Sequence, residues 1–158
     1  MKKSKYEELL KEIINTSFPM LKDKKIHLLR CILIPFSAMA AKEFFGYIVY
    51  INPLYEIYSE FEVKGILAHE LCHIEDWEIK GRKWRIKNRK LCLKDKNYNQ
   101  DYEKATDIRA IVEKKYGKEL LSARITRENK PDTNYKKNKD SYLTSEEIKQ
   151  ILLKKGLL

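Results

Sequence analysis

Ser59-Glu60-Phe61-Glu62-Val63-Lys64-Gly65-Ile66-Leu67-Ala68-His69-Glu70-Leu71-Cys72-His73-Ile74-Glu75-Asp76-Trp77 carries two patterns in one segment. Val63, Leu67, Leu71, Ile74 and Trp77 recur at helical spacing and form one apolar stripe at about 100° per residue. Ser59 followed by Glu62 is a capping box that starts the helix, and Gly81 is its expected stop. His69 and His73 fall on nearly the opposite side, flanked by Gly65, Cys72 and Asp76. Only a narrow strip near Lys64, Glu75 and Glu78 is left for solvent. A helix occupied on two faces is a central one, with small residues where another helix approaches closely.

The flanking segments supply its partners. Ser4 and Glu7 make a capping box ahead of Tyr6, Leu9, Leu10, Ile13 and Ile14, so a first helix runs to about Thr16. Ile26 to Ile34, ending at Pro35, and Tyr47 to Asn52, ending at Pro53, are rich in β-formers and read as two strands. Asn99 or Asp101 starts a helix through Ala105, Ile108, Ile111, Val112 and Tyr116, closed by Gly117, and Lys118 to about Arg127 forms a shorter one. Residues 128–141 are polar, contain Pro131 and read as a loop. Thr144 with Glu147 caps a last helix through Ile148, Ile151 and Leu152, ending near Gly156. The expected fold is α+β in a single domain, 1–158, with a short sheet packed on the central helix and further helices toward the C-terminus.

The length suffices for a core without staples. Three cysteines, Cys31, Cys72 and Cys92, are odd in number and without paired spacing, which predicts reduced thiols rather than a disulfide framework. No stretch has the length of a membrane span, and Met1-Lys2-Lys3-Ser4 leads into an amphipathic segment rather than an apolar signal core, so the expected location is cytoplasmic. Nine of the 33 basic residues lie between Lys80 and Lys96, with no acid until Asp95, and read as a basic insertion near 80–97. A weaker cluster covers Arg124 to Lys139. Such runs attract nucleic acid or anionic membrane, but a solvated basic surface is the favoured reading here.

Two imidazoles one helical turn apart can hold one metal ion, and a glutamate beside them can take a proton from a water that the ion activates. A catalytic zinc ordinarily takes a third protein ligand. His27, the one other histidine, sits in a predicted strand and is disfavoured, as is Cys72. Asp76 lies a turn beyond His73, too far for one ion to reach it together with both histidines, and is expected to accept a hydrogen bond or pair with the basic segment. The better source is Tyr102-Glu103-Lys104-Ala105-Thr106-Asp107, whose two carboxylates at i and i+4 share a helix face. One can bind the ion while the other fixes the tautomer of a ligating histidine.

This HExxH followed by ExxxD resembles the gluzincins, zinc peptidases whose third ligand is a glutamate on a second helix. The resemblance implies that Glu103 completes the Zn2+ site with His69 and His73 and that Asp107 supports a histidine. Order and size are similar to the small single-domain minigluzincins over roughly residues 25–120, which implies a zincin-like domain. Neither the basic segment nor the chain from Arg124 onward is covered by it. It further implies hydrolysis of a peptide or protein substrate with Glu70 as general base and a polar side chain steadying the oxyanion, for which Tyr98, Tyr102, Arg109 and Tyr116 are candidates. An extended peptide would add beside Tyr47 to Asn52 if that strand lies at the sheet edge. Two other functions compete: a DNA-associated or repressor-cleaving zinc peptidase that docks through the basic segment, and a non-enzymatic module with a structural or vestigial metal site. The intact Glu70 speaks against the last.

Overall fold

The computed structural model describes residues 3–34, 36–53, 57–130 and 139–158. Among these, five α-helices accompany a three-stranded mixed sheet: α1 (Lys3–Ser17), β1 (Ile26–Arg30), β2 (Ala38–Glu43), β3 (Gly46–Ile51), α2 (Glu60–Lys94), α3 (Lys96–Val112), α4 (Gly117–Asn129) and α5 (Ser145–Lys154). The α+β expectation holds at that level. No helix among the described residues is long and apolar enough to cross a membrane, and Cys31, Cys72 and Cys92 are all free thiols.

Three corrections concern the sheet and α1. The helix begins at Lys3, so Ser4 lies inside its first turn rather than ahead of it. Strand β1 ends at Arg30, short of Ile34, and Pro35 lies outside the described residues. Tyr47 to Asn52 is no edge: β3 is the central strand, parallel to β1 and antiparallel to β2. Strand β2 escapes the sequence because Ala-Met-Ala-Ala has little β-propensity. Its register pairs Glu43 with Gly46, leaving Phe44 and Phe45 as a two-residue loop without the Asn-Gly signal of such turns. Gly46 is needed there, since a Cβ would meet the Lys25 carbonyl oxygen at 2.4 Å.

Helix α2 is capped as expected, with Ser59 Oγ accepting from the Glu62 N–H and Glu62 closing the box. The stripe of Val63, Leu67, Leu71 and Ile74 is buried against Leu9, Leu10 and Ile13 of α1, Val49 of the sheet, Ile111 of α3 and Ile148 of α5 in one core. Glu75, expected in solvent, is buried because Arg109 and Lys114 both reach it. At Gly81 the backbone turns to φ 78°, ψ 177°, conformations open essentially to glycine alone, and helix then resumes to Lys94. The basic segment is therefore a second helical arm, and it packs on α3 through Trp84 against Tyr102 and Asn88 against Tyr98.

Helix α3 starts at Lys96, capped by Asp95, earlier than Asn99. Ala105 and Ile108, expected to be inside, are exposed, and the inward face carries Thr106, Asp107, Ala110 and Ile111. It ends in a left-handed Lys115 (φ 69°), whereas Gly117 opens α4. A Cβ at Gly117 would lie 2.5 Å from Leu152 Cδ2 and 2.9 Å from Ile111 Cγ2, so this glycine makes room for packed side chains rather than ending a helix. Of the polar stretch 128–141, residues 128 and 129 finish α4, Lys139–Ser141 form a 3-10 turn, and 131–138 lie outside the described residues. The Thr144 capping box and a left-handed Gly156 after α5 are as expected.

The close approach inferred for small residues of α2 occurs at Gly65, over which α4 crosses. An alanine Cβ would sit 2.5 Å from Leu120 N and 2.7 Å from the Glu119 carbonyl carbon. Gly65→Ala is therefore expected to cost about 1–3 kcal/mol by overpacking, against a gain in helix propensity of about 1 kcal/mol. Urea unfolding reads the balance, and a variant as stable as wild type would show that α4 can shift away.

Candidate metal centre

Helix α2 presents His69, Glu70 and His73, and α3 presents Tyr102, Glu103 and Asp107, to one point between the two helices. His69 Nε2 lies 3.1 Å from His73 Nε2 and 3.1 Å from Glu103 Oε2, and His73 Nε2 lies 3.4 Å from the same oxygen. The ligand atoms of His69, His73 and Glu103 fall within 4.8 Å of one another, and this group can hold a metal ion. Ligand bonds of about 2.0–2.1 Å in a tetrahedron put donor atoms about 3.3 Å apart, so the spacing already present matches such an ion without rearrangement.

The outer nitrogens are held as well. His69 Nδ1 donates to Asp107 Oδ1 at 2.8 Å, and His73 Nδ1 is 3.0 Å from the Tyr102 hydroxyl. With Nδ1 carrying the proton, each Nε2 lone pair faces the other donors. Asp107 has no solvent exposure, and its Oδ2 accepts from Arg124 at 3.1 Å and from the Leu143 N–H at 2.9 Å. Arg124 in turn lies over the Tyr142 ring, and its Nε is a buried donor without an acceptor among the described residues.

Glu70 points to a different partner, accepting from the Ala40 N–H at 2.6 Å through Oε2. The side of β2 turned away from β3 is thereby tied to the residue next to the first histidine. A cleft of about 500 Å³ opens over these groups, bounded by β2, by His73, Glu70 and Glu103, and by Arg85 and Arg89 of the second arm of α2. A smaller cavity of about 100 Å³ lies on the other side of His69 and Glu70, walled by Tyr58, Ile66, Leu120, Ala123 and the two arginines of α4.

Sequence expectations meet this geometry unevenly. His69, His73, Glu70, Glu103 and Asp107 all converge. His27 is exposed on β1, remote from the group. Asp76 is held by Lys80 at 3.0 Å and by Arg109, in keeping with a salt bridge to the basic segment. Of the four candidates for steadying an oxyanion, Tyr102 alone reaches the centre, and it is occupied with His73. Arg109 is committed to Glu75, Asp76 and the Cys72 carbonyl; Tyr98 donates to Asn88 at 2.7 Å; Tyr116 meets Thr16 at 3.1 Å near the end of α1. The missed residue is Tyr142, whose ring lies 5.8 Å from that of His69 and which lines both cavities beside Glu70. No motif marks it; it follows a polar stretch and precedes a capping box.

Charge in the centre is strongly coupled. Burial opposes protonation of His69, but the carboxylates of Asp107 and Glu103 outweigh it and push its pKa up to about 10. Burial favours the neutral acid at Glu103, yet His73 and His69 hold it well below the usual carboxylate range. Burial raises Glu70, partly offset by His69 and His73, and burial also raises Tyr142, with Glu103 and Glu70 adding to it, so the phenol keeps its proton as a donor.

Compared with models of known protein families, with curated proteins and with solved structures, the chain matches none.

Calorimetric titration with a divalent ion should give about one ion per chain, with Glu103→Ala binding markedly weaker and Asp107→Ala weaker by about 10–100-fold through the unanchored histidine. Wild-type affinity in Glu103→Ala would move the third ligand elsewhere. The sign of the pH dependence is a separate check. The groups facing His69 are Glu70, His73, Glu103, Asp107, Arg124 and Tyr142, and the net effect is a raised pKa. In the metal-free protein this stabilisation is complete below the ordinary imidazole value of about 6.5 and is lost as pH rises through about 10. A bound ion needs Nε2 unprotonated, so its affinity rises over the same window. Metal-free melting temperatures should therefore decline with pH while the metal-induced increment grows. A decline that persists unchanged in His69→Asn would assign it to other groups.

Proposed function

We propose that the chain is a zinc-dependent endopeptidase of the gluzincin type, with a zincin-like domain of the minigluzincin class. The observation that carries this reading is the convergence of His69, His73 and Glu103 at tetrahedral spacing with an uncoordinated carboxylate, Glu70, beside them in an open cleft. Two imidazoles and a carboxylate suit zinc among the common biological cations, whereas magnesium and calcium favour all-oxygen sites. When bound, zinc supplies Lewis-acid polarisation of a carbonyl and acidifies water.

The chain's own residues do the rest. Glu70, anchored through Oε2 on the Ala40 N–H, takes a proton from the attacking water at Oε1 and returns it to the departing amine. Asp107 and Tyr102 keep the Nδ1 atoms of His69 and His73 from turning toward the ion. Tyr142, a protonated phenol beside Glu70, donates to the developing oxyanion. The substrate lies extended along β2, the outer strand of the sheet beside Glu70, rather than along β3; the outward backbone groups of β2 other than the Ala40 N–H, which Glu70 holds, pair with it.

Glu70→Gln preserves shape and removes basicity. Casein or a mixed peptide library should be cut about a hundredfold more slowly or worse, with metal content and melting temperature retained. Activity undiminished in that variant would sink the proposed chemistry. Equal inactivity of wild type and variant, both fully metal-loaded, would favour the binding-module alternative.

A further inference from the structure

The cations of this protein are distributed unequally. Several basic side chains that reach the interior meet an acid: Arg109 lies on Glu75 and Asp76, Lys114 on Glu75, Arg124 on Asp107, and Lys80 on Asp76. Arg85 and Arg89 differ. They line the cleft that contains Glu70 and His73, with Lys42 of β2 lining it too. Arg85 is half-buried, yet neither arginine forms an ion pair among the described residues. The cleft's carboxylates are committed, Glu70 to Ala40 and Glu103 to the two histidines. A bound divalent cation would make the field there still more positive.

The spacing of the two arginines adds pattern to charge. At i and i+4 they stand one helical turn apart, about 6 Å, on one face of the arm. Successive same-side residues of an extended strand, i and i+2, recur at about 6.6–6.8 Å. A strand lying in the cleft therefore presents alternate side chains at nearly the interval of the arginines. A guanidinium at each position matches a carboxylate in bidentate fashion.

We propose that Arg85 and Arg89 make this cleft selective for extended peptide segments with acidic residues at alternate positions. The inference rests on the peptidase reading above and names its substrate class. Nucleic acid is the weaker match for the same charges. The cleft pairs the arginines with a strand edge, which offers backbone donors and acceptors in alternation. A peptide strand satisfies both kinds of edge group, and a phosphodiester chain supplies acceptors only.

The test uses the full chain loaded with zinc and carrying Glu70→Gln, so that binding is read without turnover. Three fluorescein-labelled nonapeptides differ only at two alternate positions, holding Glu-x-Glu, Gln-x-Gln or Lys-x-Lys, and fluorescence anisotropy gives their affinities. The Glu peptide is expected to bind about tenfold tighter than the Gln peptide, the Lys peptide weakest, with the advantage shrinking as salt rises. Adding Arg85→Gln and Arg89→Gln should abolish the advantage, bringing the Glu peptide to the affinity of the Gln peptide. Arg89→Glu alone, at an exposed position, should reverse part of it. Equal affinity for the Glu and Gln peptides, or a preference that survives both arginine substitutions, overturns the proposal. So does an oligothymidylate that displaces the Glu peptide and binds more tightly than it. Wild-type hydrolysis of the same peptides separates the two readings: cleavage without acidic preference sinks the selectivity alone, and acidic preference without cleavage of any peptide supports the selectivity and sinks the peptidase.

Discussion

A carboxylate sealed from water joins most of this molecule. Asp107 sits on α3, takes the Nδ1 proton of His69 from α2, the guanidinium of Arg124 from α4 and the N–H of Leu143 just ahead of α5. A buried, ionised carboxylate without such partners would cost several kcal/mol, so these four segments can hold their arrangement only together. The orientation of a candidate metal ligand is thus fixed by the interaction that assembles the C-terminal helices. It also explains why the chain beyond Arg124 cannot be peripheral to the site. Arg124, Tyr142 and Leu143 all reach the surroundings of His69, and the small cavity beside Glu70 is walled in part by α4.

Helix α2 shows what such a polar assembly asks of its neighbours. The helix is enclosed by α1 and the sheet on one side and by α3 and α4 on others, so that residues from Glu62 to Asp76 are nearly all buried. Its buried acids are matched one by one. Glu62 receives Ser122 and Thr126 as well as its own cap, Glu75 receives Arg109 and Lys114, and Asp76 receives Arg109 and Lys80. Apart from the Ser59 cap and the Asp76–Lys80 pair, which are local to α2, these contacts cross between elements, so hydrogen bonds and ion pairs set the register of α3 and α4 against α2, whereas the hydrophobic stripe alone tolerates sliding.

The parts legible in the sequence were those with a local cause. Capping boxes at Ser59 and Thr144, the β-rich run into β3 and the HExxH pentapeptide are each decided within a few residues, and the carboxylate pair Glu103 and Asp107 shares a face by helical geometry alone. The failures have the opposite character. Ala105 and Ile108 suggest an apolar inward face for α3, but the metal-side carboxylates claim that direction and turn them out to solvent. Strand β2 exists through its pairing with β3 and through the Ala40 N–H on Glu70, neither of which its own residues announce. Tyr142 reaches the site because α4 and α5 bring it back across the chain. Glycines were misread where the requirement is three-dimensional: Gly117 makes room for Leu152, and Gly81 redirects a helix without ending it.

That redirection bears on the whole cleft. In an uninterrupted helix, twelve residues beyond His73 is a rise of about 18 Å and a net turn of about 120°, and sixteen residues is about 24 Å and 160°. Arg85 and Arg89 would then stand far along the axis and on the side away from His73. In the structure they share one cleft with His73 and Glu70, which a straight rod cannot achieve. The break at Gly81 (φ 78°, ψ 177°) supplies the difference, and since nothing lies within 4 Å of where a Cβ would be, the demand on that position is conformational rather than steric. A single residue thus divides α2 into an arm that presents the candidate ligands and an arm that walls the cleft above them. Trp84 and Asn88 fix the second arm on α3, the helix that carries Glu103. The basic run is thereby oriented by the same helix that carries Glu103, and its arginines on the cleft side, Arg85 and Arg89, add positive charge to the surroundings of the candidate site.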